Sequence, residues 1–97
     1  MVWSALQLAR AGRHRGWGFR VVTAYILVQT EVGKAAQVAR AIAQIDGVHR
    51  AEDVTGPYDV VVRAEASSLD ALGRLVVSSI QGVDGVTRTL TCSVVHL

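Results

Sequence analysis

The sequence predicts an α+β sandwich of the ferredoxin-like kind: a βαββαβ chain forming one antiparallel four-stranded sheet with two helices on one face. Three observations predict it. Residues 45–50 (Ile45-Asp46-Gly47-Val48-His49-Arg50) and 83–88 (Val83-Asp84-Gly85-Val86-Thr87-Arg88) are near-copies of one phrase, 38 residues apart, the mark of a duplicated βαβ unit. Each copy follows a helix-like stretch and precedes a strand-like one. The chain has 97 residues, 51% of them hydrophobic and only one of them proline, which suits a single globular domain with a modest core.

The elements follow in order. Residues 23–31 are rich in β-branched and aromatic side chains and form the first strand. Both of its rows are apolar, Ala24, Ile26 and Val28 on one and Tyr25 and Leu27 on the other, as in a strand buried on both faces. Residues 34–45 place Ala35, Val38, Ala39, Ile42 and Ile45 on one helical face. Gly47 stands where a left-handed helix terminus is wanted. Residues 48–54 form a second strand, polar enough for a sheet edge. Thr55-Gly56-Pro57 is a tight connection. Residues 58–66 form the third strand, with Tyr58, Val60, Val62 and Ala64 on one side and Asp59, Val61, Arg63 and Glu65 on the other. A second helix runs to about residue 81. Ser67 and Asp70 resemble a capping box, Asp70 and Arg74 are spaced for an ion pair, and Leu69, Leu72, Val76 and Ile80 form the buried stripe. Gly82 or Gly85 ends it. Residues 86–95 are the last strand: Val86, Arg88, Leu90, Cys92 and Val94 on one side, and a hydroxyl row of Thr87, Thr89, Thr91 and Ser93 on the other.

Charge divides the chain. Residues 1–22 carry Arg10, Arg13, Arg15 and Arg20 and no acid, a net +4, while the rest carries −2. The basic leader, 1–22, is expected to be a disordered tail or no part of the domain, which spans 23–97. A slightly acidic body is a poor partner for nucleic-acid phosphates. No apolar run approaches the ~20 residues that span a bilayer. Cys92 is the sole cysteine, so a disulfide within the chain is impossible and a reducing cytoplasm is the expected location.

Right-handed crossovers put both helices on one side of the sheet. The other face is left bare, with Tyr25, Leu27 and the hydroxyl row of Thr87, Thr89, Thr91 and Ser93 expected on it, Tyr25, Leu27, Thr91 and Ser93 forming the expected interface. An apolar open face is a liability on a monomer, so two sheets are expected to pack face to face as a dimeric α/β barrel.

Thr55-Gly56-Pro57-Tyr58-Asp59 followed by Val60-Val61-Val62 resembles the Gly-x-Tyr-Asp signature of the Lrp/AsnC effector-binding domain, called regulation of amino acid metabolism. Residues 83–89 are similar to that family's second signature, and the resemblance covers 23–97. Full-length members place a helix-turn-helix DNA-binding domain first, which needs roughly 50 residues or more. Only 22 residues precede the domain here, so the resemblance is to a stand-alone form without direct DNA contact. It implies homodimers that assemble further and a small-molecule effector, often an amino acid, held between dimers; such a module could act as an amino-acid sensor or could co-assemble with full-length regulators and tune them. The effector site would fall on Gly56, Tyr58, Asp59, Thr87 and Thr89.

The chemistry of those residues suits an amino acid. Asp59 can pair with an ammonium, loop N–H groups beside Gly56 can hold a carboxylate, and hydroxyls can donate or accept. Plain structural roles stay open as well. Gly56-Pro57 can be a hairpin turn, Asp59 can cap it or pair with Arg88 or Arg63, and the threonines can simply favour a strand. No zinc-like Cys/His spacing, activated nucleophile or phosphate loop is present, and no cofactor or catalytic residue is implied. Glu52 and Asp53 are adjacent and point to opposite faces of a strand, unsuited to shared acid–base work. His49 is expected to face solvent. Two classes of function remain: a binding and assembly module, or a small dimeric α/β-barrel enzyme with a pocket inside each subunit.

Overall fold

The computed structural model describes residues 21–95. The elements are β1 (Val22–Thr30), α1 (Ala35–Ala43), β2 (Val48–Asp53), β3 (Val60–Ala66), α2 (Leu69–Arg74), a π-helical segment (Leu75–Ile80) continuing α2, and β4 (Val86–Ser93). The strands form one sheet in the order β2-β3-β1-β4 with every neighbour antiparallel. The ferredoxin-like expectation therefore holds, with β2 at an edge as its polarity suggested. Most of the leader expected over 1–22 lies outside the described residues. Its last residue, Val22, already belongs to β1.

One row of each central strand makes the core. Ala24, Ile26 and Val28 of β1 and Val60, Val62 and Ala64 of β3 are fully buried. They pack against Val38, Ala39 and Ile42 of α1 and against Leu72, Val76 and Ile80 of the second helix. Each fully buried Ile or Val contributes about 1.5–3 kcal/mol relative to exposure.

The second helix departs from its expected form. Ser68, not Ser67, is the N-cap, its hydroxyl accepting from the Ala71 N–H at 3.0 Å. No bond joins Asp70 to Arg74. Leu69 is 65% exposed because it opens the helix ahead of the packed turns. The π-helical segment has a wider turn, with the Gln81 N–H reaching the Val76 carbonyl at 2.9 Å. That width keeps Leu72, Val76 and Ile80, each four apart, in one buried row.

The duplicated phrase folds twice in the same way. The Ile45 N–H bonds to the Ile42 carbonyl at 3.0 Å and the Val48 N–H to the Ile45 carbonyl at 3.1 Å. Thirty-eight residues on, Val83 bonds to Ile80 and Val86 to Val83, both at 3.1 Å. Gly47 and Gly85 have φ of +94° and +98°, so each Asp-Gly pair closes its helix in the left-handed region. Their carbonyls accept from the Glu65 and Glu31 N–H groups, both at 2.8 Å. Of the two candidate glycines, Gly85 and not Gly82 has this conformation.

The faces of β4 are the main correction. A bulge shifts the register between Gln29 and Thr30, whose partners are Arg88 and Val86, so Thr87 is the extra residue. Beyond it Thr89, Thr91 and Ser93 stand opposite Val28, Ile26 and Ala24. Directly opposed residues share a face, so this part of the hydroxyl row lies on the helix side. Leu90 and Cys92 stand opposite Leu27 and Tyr25, on the bare face. Thr89, Thr91 and Ser93 are therefore not on the face assigned to them from sequence, and Cys92 is exposed and not in the core. β4 is an edge strand, so its helix-side hydroxyls stay accessible without reaching the open face.

Gly85→Ala is expected to cost about 2–3 kcal/mol. A left-handed Ala costs about 1–2 kcal/mol, and its Cβ would meet Val38 Cγ2 at 3.0 Å. Gly33→Ala, with φ of +81° and nothing within 4 Å, is expected to cost only about 1 kcal/mol. Urea unfolding of both variants checks the ranking.

Candidate functional site

Both signature segments converge on the C-terminal end of β1. The Asp59 N–H bonds to the Val28 carbonyl at 2.9 Å, and its own carbonyl accepts from the Val54 N–H at 2.8 Å. Asp59 Oδ2 accepts from the Thr30 N–H at 2.8 Å and from the Thr30 hydroxyl at 3.3 Å. Gln29 Nε2 donates to the Pro57 carbonyl at 3.1 Å. These bonds turn residues 58 and 59, expected in the strand, into the end of the loop, and β3 starts at Val60. From the other side, Thr30 pairs with Val86 and the Glu31 N–H bonds to the Gly85 carbonyl. The 55–59 loop and the start of β4 thus flank one strand end, about 10 Å apart at two strand spacings.

The predicted ligand residues have distinct settings there. Gly56 has φ of +149°, and nothing lies within 4 Å of where a Cβ would point, so the loop backbone is open to a visitor. Tyr58 is half-buried behind it. Asp59 is held by Thr30, and neither Arg88 nor Arg63 bonds to it; of the plain roles open to it, the observed one is a strand-end cap. Thr87 is exposed at the bulge. Thr89 accepts from Gln81 Nε2 at 2.9 Å. Gln81, Val86, Thr87, Arg88 and Thr89 line an open recess of about 410 Å³. Gln81 was not singled out from sequence; its place at the end of the π-helical segment brings it to Thr89.

Charge reinforces this end of the sheet. Lys34 Nζ lies 3.2 Å from Glu31 Oε1 and 3.4 Å from Asp84 Oδ2, joining the β1–α1 loop to the second Asp-Gly turn. The hydrogen bond to Glu31, with the Asp84 charge, holds the Lys34 ammonium above its ordinary pKa. A cation raised in this way contributes at neutral pH, and the contribution is lost only as pH rises through the raised value.

The bare sheet face holds a second group. Tyr25 is 40% exposed and Leu90 47% exposed, with Leu27 and Val61 half-buried beside them. Tyr25 and Leu27 stand on this face as expected. Tyr25, His49, Arg50, Glu52, Val61 and Arg63 line a recess of about 340 Å³. Arg63 Nη1 donates to the Tyr25 hydroxyl at 3.2 Å, and its guanidinium lies 5.8 Å from the ring centroid. His49 Nε2 lies 3.3 Å from Oε1 of Glu65, a residue only 7% exposed, and the Thr23 hydroxyl reaches Glu65 Oε2 at 3.5 Å. The sequence reading missed this contact. A register shift between Val48 and Arg50 makes His49 the bulged residue of β2 and turns it to Glu65. Among the described residues no group of His, Cys, Asp and Glu could hold a metal. No helix among them is long and apolar enough to cross a membrane.

Residues 23–96 match the Lrp/AsnC ligand binding domain. An uncharacterized HTH-type transcriptional regulator of Pyrococcus abyssi, PYRAB16920, is 32% identical over 72 residues, covering 71% of this chain and 48% of the relative. The chain thus spans about half the length of the curated relatives it matches. TTHA0845 from Thermus thermophilus superposes with a TM-score of 0.73 at 29% identity, covering 78% of this chain and 95% of that one. The transcriptional regulator NMB0573 from Neisseria meningitidis, solved as its L-Met complex, shares the fold at a TM-score of 0.70 and 19% identity, covering 95% of this chain and 66% of that one.

Asp59→Ala is expected to lower stability by about 1–2 kcal/mol, since the Thr30 N–H loses its acceptor. Asp59→Asn keeps an acceptor and is expected to stay within about 0.5 kcal/mol of the parent. Equal losses in thermal unfolding would show that the carboxylate's charge, not its acceptor geometry, secures the strand end.

Proposed function

The chain belongs to the Lrp/AsnC ligand-binding domain family, and from that premise we propose that it is an effector-binding assembly module. It pairs through the bare sheet face and holds a small molecule, an amino acid, between dimers. It acts on transcription through partners, full-length regulators of the same family among them, and not by touching DNA. This activity is non-enzymatic and cytoplasmic.

The observation that carries the reading is the convergence of the two signature segments on the end of β1. Gly56 offers open backbone, Asp59 a carboxylate, and Thr87 and Thr89 hydroxyls, all at the same edge of the molecule. An amino acid presents the complementary ammonium and carboxylate. The recess at Thr87 and Thr89 is open on one side, which suits a ligand finished by a neighbouring copy. Such a ligand binds the assembled state better than the separate one and shifts the balance between them. That NMB0573 was solved with L-Met makes an amino acid the first ligand to test.

The dimer reading rests on Tyr25 and Leu90, exposed, and Leu27 and Val61, half-buried, apolar side chains gathered on one face. The register of β4 moves Thr91 and Ser93 out of that interface and Leu90 into it. The enzyme reading has one observation in its favour, the recess beside His49 on the same face. Packing two sheets together would close that recess inside the assembly.

Two experiments test the proposal. Thermal shift against the twenty amino acids, with mass measured in parallel, is expected to find at least one that raises Tm and favours a larger assembly. Asp59→Asn should remove that shift while unfolding normally, and an undiminished shift takes Asp59 out of the site. Leu90→Arg should reduce the mass to that of one chain, whereas Thr91→Arg should leave it unchanged. The opposite pattern in light scattering would sink the face assignment.

A further inference from the structure

We infer that the bare sheet face contains an oxyanion site, built on Arg50 and Arg63, for a small carboxylate or phosphate. Arg50 of β2 and Arg63 of β3 are direct cross-strand partners. Side chains so placed start about 5 Å apart on one face, and like charges directly opposed repel. Neither guanidinium forms an ion pair with a described residue. Lys34, by contrast, has the Glu31 carboxylate at 3.2 Å and the Asp84 carboxylate at 3.4 Å.

The surroundings favour an anion of limited size. The recess measures about 340 Å³, within the range of small-ligand sites. The Tyr25 hydroxyl accepts from Arg63 Nη1, so its own proton is free to donate into the recess. His49 is turned toward Glu65. Glu52, the one acid lining the recess, offsets one of the two guanidinium charges and leaves a net of one positive charge per copy. Guanidinium forks match carboxylate and phosphate oxygens in pairs.

The site is distinct from the effector site proposed above. Tyr25 lies five residues from Thr30 along β1, about 17 Å at strand rise. The two are connected through assembly, and in this respect the inference rests on the sheet-to-sheet dimer. Burying two opposed arginines in a dry interface with only the one carboxylate of Glu52 to offset them is strongly unfavourable. An anion held at each pair removes that obstacle, so anion binding and dimer formation should reinforce one another.

The test compares phosphate, citrate and acetate with chloride at equal ionic strength, reading Tm and mass together. Phosphate or citrate is expected to raise Tm by about 6–11 °C once at about ten times its Kd, with a greater dimer fraction. Preference for phosphate over citrate and acetate, or the reverse, separates the two ligand chemistries. Arg50→Gln and Arg63→Gln should each remove more than half of the rise, and Arg40→Gln, exposed on α1 and in neither recess, should keep it. No anion-specific rise, or a full rise in both Arg50→Gln and Arg63→Gln, overturns the inference. A rise that depends on both arginines in a particle of single-chain mass supports the site and refutes the dimer. A dimer indifferent to anions does the reverse.

Discussion

Everything in this fold is arranged around β1, which is hydrogen-bonded on both sides. Its even-numbered residues Ala24, Ile26 and Val28 are sealed against the helices. Its odd-numbered residues Tyr25 and Leu27 look out from the bare face. Because side chains alternate along a strand, sealing one row fixes the direction of the other. The open face is thus the geometric complement of the core, and a chain with only two helices has nothing of its own among the described residues to cover it. The strand's far end serves a separate purpose: Asp59 grips it from one side and Gly85 from the other. One strand therefore joins the bare face to the end of the sheet where the recess beside Thr87 and Thr89 lies.

Much of this was legible in the sequence. The duplicated Asp-Gly phrase encoded two equivalent turns, and their hydrogen bonds repeat residue for residue. The apolar rows of β1, β3 and α1 identified the core, because burial selects side chains at the period of each element. What failed has physical causes. Period-two alternation in residues 86–93 shows that two unlike rows exist but not which is inward. Hydrophobicity suggested that Leu90 and Cys92 face the core, whereas the bulge at Thr87 and the pairing with β1 put them outside. The same kind of slip hid the His49–Glu65 contact, because a bulge inverts the direction of every side chain past it. Helical spacing alone does not show where packing begins, so Leu69, which opens α2 ahead of the packed turns, was placed in a stripe it does not join.

The candidate site was legible in part. Gly56, Asp59, Thr87 and Thr89, singled out from the resemblance, stand at one end of the sheet. Their residue types did not disclose that Asp59 already has a structural duty at Thr30. Such dual use is physically reasonable, since a carboxylate has two oxygens and only Oδ2 is engaged there. A carboxylate fixed by the backbone is also pre-oriented, which reduces the ordering cost of binding a ligand.

The two bulges have a consequence for how copies of this chain can aggregate. β2 and β4 are the outer strands, and exposed outer strands are templates on which further chains can add without limit. Each carries one irregularity, at His49 and at Thr87, and β2 adds the charges of Arg50, Glu52 and Asp53. Ladder extension from either side is thereby disfavoured, and fibre growth along the sheet is blocked at both borders.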